Sequence, residues 1–326
     1  RWALQKGQTA MVQAARAAGL ELTFFHGRGG SASRGGSKPR AAFMAAPPGA
    51  VAGRGRTTEQ GEVIHDKFGL RGTALRTLEL VLGAVLERTA TGDAPPQPEA
   101  SWVAAIEEAA LSSRARYRRL VHDDPGFPEL FRGMTPIDVI ERLRIGSRPG
   151  KRRQMRGVED LRAIPWVFAW TQMRCNVPGW YGIGTAFERL VLGETSKLDA
   201  CRSAYRAGGH FRAFIDNAQQ EMARARLMVG GWYLGTEDGL HPRIVEEFDR
   251  AERAVLEITG QVGLLDNNPV IRESIRERNP DTDLINALQV ELLRRVRTGA
   301  FDDEVEMKNV VLLGVNALAA AMQSTG

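Results

Sequence analysis

Residues 25–36 read FHGRGGSASRGG, from Phe25 to Gly36. Five glycines and two arginines fall between His26 and Gly36 with no apolar period, which marks a loop. The apolar run from Leu22 to Phe25 just before it reads as a short buried strand. A strand end of this composition has a chemical use. Glycines let backbone N–H groups approach an anion closely, and guanidiniums grip phosphate or carboxylate bidentately. The plain alternative is a solvated hairpin with incidental arginines, although such a strand end is costly to hold without a ligand. Two named phosphate loops do not fit. A Walker loop needs Gly-Lys-Ser/Thr, whereas Gly36 is followed by Ser37-Lys38-Pro39. A dinucleotide fingerprint would use Gly27, Gly29 and Ala32, but no clean helix follows and no acidic residue closes a βαβ unit.

Working outward, Trp2, Leu4, Met11, Val12 and Ala15 keep a helical period that stops at Gly19. Arg1 opens the chain inside that helix with neither Met nor N-cap, as expected of a piece of something longer. Downstream, the stretch RGRTTEQGEVI suits an extended segment turning into a helix, and Leu75, Leu78, Leu82, Val85 and Leu86 continue at helical spacing. Helices are predicted over 101–121 and 136–143. SRPGKRRQMRG, 147–157, is a basic loop, and in LRAIPWVFAWT, 161–171, Trp166, Phe168 and Trp170 alternate like a second buried strand. From about 185 to the end the pattern is helical. Strands that end in functional loops, wrapped by many helices, predict part of an α/β barrel of the TIM type. It is embedded in a predominantly α-helical protein, helix-rich with a few short strands.

Composition narrows the function classes. With 326 residues, 43% apolar and 25% charged, the chain can bury an ordinary globular core. The net charge of +5 favours an anionic ligand but falls short of a nucleic-acid footprint, so no nucleic-acid partner is expected. No window holds 18 uninterrupted apolar residues and no signal peptide is visible, so the expectation is a cytoplasmic protein with no membrane partner. Cys175 and Cys201 lack any CxxC or Cys/His pattern and read as inert core thiols. His65, His122, His210 and His241 share no helix face, and no carboxylate pair stands out, so no metal ligand is assigned in this chain. His122-Asp123-Asp124, followed by Pro125, reads as a helix stop. The runs around Arg114–Arg119 and Arg294–Arg295 read as solvent faces. Arg148, with Arg162 fourteen residues on, lies in or near a cationic stretch able to serve the same anion, and a solvated charge run fits equally well.

Six stretches carry a resemblance: FHGRGG with its following RGG, TEQGEVI, IGSRPGKRR, LRAIPWVFAWTQMR, RNPDTDLINALQVELLRR and the terminal MQSTG. In that order, over residues 1–326, they resemble the phosphoenolpyruvate carboxylase family, and the match corresponds to roughly its C-terminal third. The family's upstream TAHPTE-type segment, with a catalytic His, and its YSDSxKDxG segment, with a metal-ligand Asp, are not in this chain.

The resemblance implies conversion of phosphoenolpyruvate and bicarbonate to oxaloacetate and phosphate, an anaplerotic carbon fixation feeding the tricarboxylic acid cycle. Bicarbonate attacks phosphorus to give carboxyphosphate and the pyruvate enolate, and released CO2 is captured at the methylene carbon. It further implies Mg2+ or Mn2+ held by ligands upstream of Arg1, a homotetramer, and dependence on the missing N-terminal part, so that this chain alone is inactive. Carried over, His26 matches the histidine of the carboxylation half, Arg28 the arginine at phosphate and enolate, and Arg148 and Arg162 two further active-site arginines. Gly27, Gly29, Gly30 and Arg34 belong to the substrate loop. A dicarboxylate effector site corresponds to Arg34, Arg224, Arg278 and Ser324. There Arg224 stands for a Lys and Ser324 for an Asn, which changes geometry and shortens a contact and so weighs against dicarboxylate inhibition. Ser33 and Ser37-Lys38 also replace glycines common in the family's loop. The organisation implied is one domain over 1–326, with a barrel-strand and active-site loop region at 1–184 and a helical region with effector elements at 185–326. The rival reading is a catalytically incomplete, metabolite-binding or regulatory relative.

Overall fold

In the computed structural model, Ala163–Gln172 form a helix where the sequence predicts a strand. The structure describes residues 1–27, 39–59, 61–90, 100–141, 143, 157–192, 195–235, 239–300 and 303–322. In chain order the first elements are α1 (Trp2–Ala17), β1 (Phe25–Gly27), α2 (Pro39–Met44), β2 (Arg56–Thr58), α3 (Gly61–Phe68), α4 (Arg71–Ala90) and α5 (Ala100–Val121). There follow α6 (Phe127–Met134), α7 (Ile137–Ile140), α8 (Ala163–Gln172), α9 (Val177–Trp180), α10 (Ile183–Leu192) and α11 (Thr195–Ala207). The last are α12 (Gly209–Arg224), α13 (Leu227–Leu234), α14 (Leu240–Thr259), α15 (Pro269–Thr298) and α16 (Glu304–Met322). The chain divides into one unit of Arg1–Leu111, Ala186–Ala218 and Glu257–Gly260, and a second of Ser112–Thr185, Gln219–Leu256 and Gln261–Gly326.

In the first unit α1 stops where its period does. Gly19 takes φ +66°, and the N–H groups of Gly19 and Leu20 return to the carbonyls of Arg16 and Ala15, which satisfies the last turn. Lys6 Nζ lies 2.7 Å from Glu107 Oε1 on α5, and the Trp2 indole N–H donates to the same carboxylate. Strand β1 pairs in parallel with β2, Phe25 opposite Arg56, His26 opposite Thr57 and Gly27 opposite Thr58. The strand expected at Leu22–Phe25 is therefore displaced, and Phe25 is exposed rather than buried. A strand extends only as far as its partner offers backbone groups, and β2 is three residues long. The extended segment at Arg56–Thr58 turns into α3 as read from sequence. Helix α4 packs on α2 and α3, with Val81, Ala84 and Val85 against Phe43 and Val51. A Cβ at Gly55 would sit 2.3 Å from the Phe43 ring, so only glycine fits there.

In the second unit, α8 corrects the predicted strand at 161–171. Val167, Ala169 and Thr171 are buried along with Phe168 and Trp170, so the alternation has no polar face, and a segment buried all round suits a core helix. Trp166 and Trp170, one turn apart, meet edge to face at 5.6 Å, and Phe131 of α6 lies 4.8 Å from Trp166. Pro165 falls in the first turn, where its missing N–H costs nothing. The helix expected over 136–143 is the shorter α7. Glu247 of α14, fully buried, accepts from Thr185 N at 2.8 Å, Thr185 Oγ1 at 2.6 Å and Arg116 Nε at 3.2 Å. Arg116 thus departs from the solvent face expected of its run, whereas Arg294 and Arg295 keep to one, paired with Glu291.

Among the described residues, Val305–Met322 of α16 is long and apolar enough to cross a membrane. Its Val311, Val315, Leu318 and Met322 are buried, it packs on α15, α8 and α7, and the Val315 carbonyl accepts from Gln172 Nε2 at 3.0 Å. That spacing puts one face of α16 against its neighbours, while Val305 and Leu313 are exposed. Every described element after residue 185 is helical, as read from sequence. The described residues hold one sheet of two strands, so the architecture is helix-rich with few short strands.

Candidate active site and anion cleft

Residue types fit for anion chemistry occur in both units. In the first, β1 carries His26 at its centre and Gly27 at its C-terminal end, and the imidazole lies 6.2 Å from the Phe24 ring. A Cβ at Gly27 would meet nothing within 4 Å, so packing does not impose glycine there. Arg28, Gly29, Gly30 and Arg34 lie outside the described residues, as do Arg148 and Ser324.

In the second unit Arg162 is the N-cap of α8, at φ −82° and ψ 155°. Its side chain makes no capping bond, and its Nε is buried without a hydrogen-bond partner. A buried guanidinium N–H with no acceptor carries a desolvation cost that an incoming oxyanion relieves. Helix α8 holds this arginine at one end and continues at the other into Arg174 and Asn176, both left-handed at φ 58° and 48°.

Sequence reasoning missed Arg174. Its guanidinium is fully buried, with Nη1 2.7 Å from Thr282 Oγ1 and 3.2 Å from Asp283 Oδ1. Nη2 donates to Asn279 Oδ1 at 2.7 Å. Burial pushes its pKa down to about 10, against the opposing pull of Asp283. The available signal was a charged residue four positions after the apolar run WVFAW. Arg174, Arg224 and Arg278 line one narrow cleft of about 10 Å³, the size of a single water, with Thr282, Ala321 and Met322. The structure thus brings together two of the expected effector residues, Arg224 and Arg278.

Each of those two is already engaged. Arg278 donates from Nε to the Ser274 carbonyl at 2.8 Å and from Nη1 to the Ala321 carbonyl at 2.9 Å. Burial, then repulsion from Arg224, lowers its pKa. Arg224 lies 3.7 Å from Glu221 Oε1, and its Nε is buried without an acceptor. Of the three guanidiniums around this narrow space, Arg224 keeps a buried N–H without an acceptor, while every nitrogen of Arg174 meets one.

Among the described residues no group of three or more His, Cys, Asp or Glu is placed to hold a metal ion. Cys175 and Cys201 are free and buried, their pKa values pushed up by burial to about 12 and about 11, as inert thiols require. Helix α5 ends at Val121, directly before His122, and His122 Nδ1 lies 3.0 Å from Glu159 Oε1.

Comparison with known proteins places these residues in a family. The family model for phosphoenolpyruvate carboxylase matches residues 1–326. A phosphoenolpyruvate carboxylase of Rhodothermus marinus is 44% identical over 337 residues, covering 100% of this chain and 36% of the relative. One of Xanthomonas campestris pv. campestris (strain 8004) is 43% identical over 331 residues, and one of Nocardia farcinica (strain IFM 10152) 42% over 337, with the same coverages. The chain therefore spans 36% of the length of these relatives and matches a C-terminal portion of them. On this end-to-end match, the chain belongs to the phosphoenolpyruvate carboxylase family.

Proposed function

We propose that this chain supplies the C-terminal part of an enzyme that converts phosphoenolpyruvate and bicarbonate to oxaloacetate and phosphate, an anaplerotic step. The observation that carries the reading is the family match over residues 1–326, with His26, Arg28, Arg148 and Arg162 all present at their motif positions. A bicarbonate oxygen attacks phosphorus as the bond to the enol oxygen breaks, giving carboxyphosphate and the pyruvate enolate. Carboxyphosphate then breaks its carbon–oxygen bond to give CO2 and phosphate, and the enolate's methylene carbon bonds to CO2, giving oxaloacetate. Every species on that path except CO2 is an anion, so fixed guanidiniums lower its energy. Arg28, Arg148 and Arg162 hold the phosphoryl and enolate charge, His26 serves the carboxylation half, and Gly27, Gly29, Gly30 and Arg34 form the loop around the substrate. The partnerless Nε of Arg162 supports its share of this role.

The same reading takes residues 1–184 as the barrel-strand and loop region and 185–326 as the helical region with effector elements. A TIM-type barrel is then completed by the rest of the family's length, in a cytoplasmic homotetramer. Mg2+ or Mn2+, which supplies Lewis-acid stabilisation of the anions when bound, is held by residues outside this chain. By the family resemblance, Arg34, Arg224, Arg278 and Ser324 are the candidate dicarboxylate effector residues.

The test is oxaloacetate formation from phosphoenolpyruvate and bicarbonate with Mg2+, by this chain alone and after addition of the remaining family-length polypeptide. Activity only after addition is the expected result. Activity of the chain alone would put the metal ligands within it, and silence of a mixture shown to be assembled would overturn the reading in favour of a metabolite-binding relative.

A further inference from the structure

Helix α4 is apolar on two faces. Val81, Ala84 and Val85 pack against Phe43 and Val51. Leu75, Leu78, Leu82 and Leu86 form a second row, and these four side chains are each 56–59% exposed. At 100° per residue the rows lie roughly 110° apart, and the leucine row runs about 16 Å along the axis. A soluble helix normally shows one apolar face; one that shows two is a helix with neighbours on both sides. Four leucines in line are not the single scattered apolar side chains of an ordinary surface.

Among the described residues of this unit, β1 also carries an exposed aromatic side chain. Its sheet is two parallel strands of three residues, with Phe25 62% exposed, whereas parallel strands ordinarily lie beneath helices on both faces. The occupant follows from length. The matched relatives are nearly three times as long as this chain, which covers 36% of each, so about two-thirds of the family's polypeptide is available to pack here.

We propose that the Leu75–Leu78–Leu82–Leu86 row of α4 is the seat of the polypeptide that makes up the remainder of the family's length. The proposal rests on the reading of this chain as the C-terminal part of a longer enzyme. It adds which surface receives the rest. Leucines rather than charges make the contact, so the interface is insensitive to salt and forms by removal of apolar surface from water.

The experiment is hydrogen exchange of the α4 amides, in this chain alone and in this chain joined to the upstream portion of the Rhodothermus marinus relative, with oxaloacetate formation assayed on the joined protein. Exchange at 71–90 is expected to slow by about tenfold or more on joining. The double variant Leu78→Glu/Leu82→Glu is expected to lose that slowing while keeping the helix content of the isolated chain, because both side chains are exposed there. A joined protein that makes oxaloacetate with α4 exchanging as fast as in the isolated chain overturns this assignment and leaves the catalytic reading intact. An inactive joined protein with α4 unprotected overturns both. Slow exchange in the isolated chain that rises on dilution and is abolished by the double variant overturns the assignment in favour of a second copy of this chain.

Discussion

Arg174 Nη1 and Asp283 Oδ1 lie 3.2 Å apart in a buried ion pair that ties the turn after α8 to α15. Asp283 takes a second guanidinium through Oδ2, Arg226 Nη2 at 2.7 Å, and Arg174 Nε reaches the Arg224 carbonyl at 3.4 Å. A charge this deep is tolerable only because each of its nitrogens meets an acceptor. The cluster fixes the C-terminal ends of α8 and α12 against α15, the helix that carries Arg278.

Replacing Arg174 by Ala leaves Thr282 Oγ1, Asn279 Oδ1 and Asp283 Oδ1 without this donor, Asp283 keeping Arg226 at Oδ2. Breaking one side of a buried pair costs about 3–5 kcal/mol, so the urea midpoint of Arg174→Ala falls steeply. Arg174→Lys recovers only part of it, since an ammonium cannot span the same fork. An Ala variant with the parental midpoint would remove the cluster from the account of stability.

Glycine 184 predicts the opposite of a neutral change. A Cβ there would lie 2.5 Å from Arg250 Cβ, 2.6 Å from Ala251 N and 2.7 Å from the Glu247 carbonyl, none of them the free end of a side chain. Gly184→Ala therefore pries α10 from α14 and costs about 1–3 kcal/mol. Gly7→Ala is the control. Gly7 sits inside α1 with nothing within 4 Å of a new Cβ, so alanine stabilises by about 0.5–1 kcal/mol. Equal midpoints for both variants would contradict the close approach.

His210 gives the chain an acid-sensitive window. Burial holds its pKa down at about 4 against an ordinary 6.5. Below 6.5 the unfolded chain takes up a proton that the folded chain refuses, so the unfolded state binds more protons and stability falls as pH falls. The contribution is complete above 6.5 and its loss levels off below about 4. Urea midpoints at about pH 7, 5.5 and 4.5 decline in the parent and decline less in His210→Gln. Parallel declines would assign the acid sensitivity to other groups.

How much was legible depended on whether local pattern or tertiary context decided the element. Leu75, Leu78 and Leu82 announce α4 correctly because period is a local property, yet period does not say which face is covered, and these leucines are exposed. Trp166, Phe168 and Trp170 misled because a short run buried on all sides carries neither a helical nor a strand period. Helix α8 is decided by the aromatic stack with Phe127 and Phe131, contacts 35 to 43 residues away that no window includes. Among site residues, motif order found Arg224 and Arg278, which do share a cleft. Arg174 was invisible because its role rests on Asn279, Thr282 and Asp283, more than 100 positions along the chain.

Arg162 separates a catalytic from a structural arginine most directly. Its Nε is buried without an acceptor and its side chain does not cap α8, so the folded state gains little from the charged end of this side chain, in contrast to Arg174. If the guanidinium is held ready for the phosphoryl or enolate oxygens, its contribution is realised in the transition state. Arg162→Ala in the complete enzyme is then expected to lower kcat by roughly 10² or more with a urea midpoint close to the parent. Arg162→Lys restores charge but not the planar fork and recovers only a fraction of kcat. The discriminating pair of measurements is kcat and midpoint on the same preparations. A fall in both would make Arg162 a structural residue of the α8 N-terminus, and a fall in neither would remove it from the site.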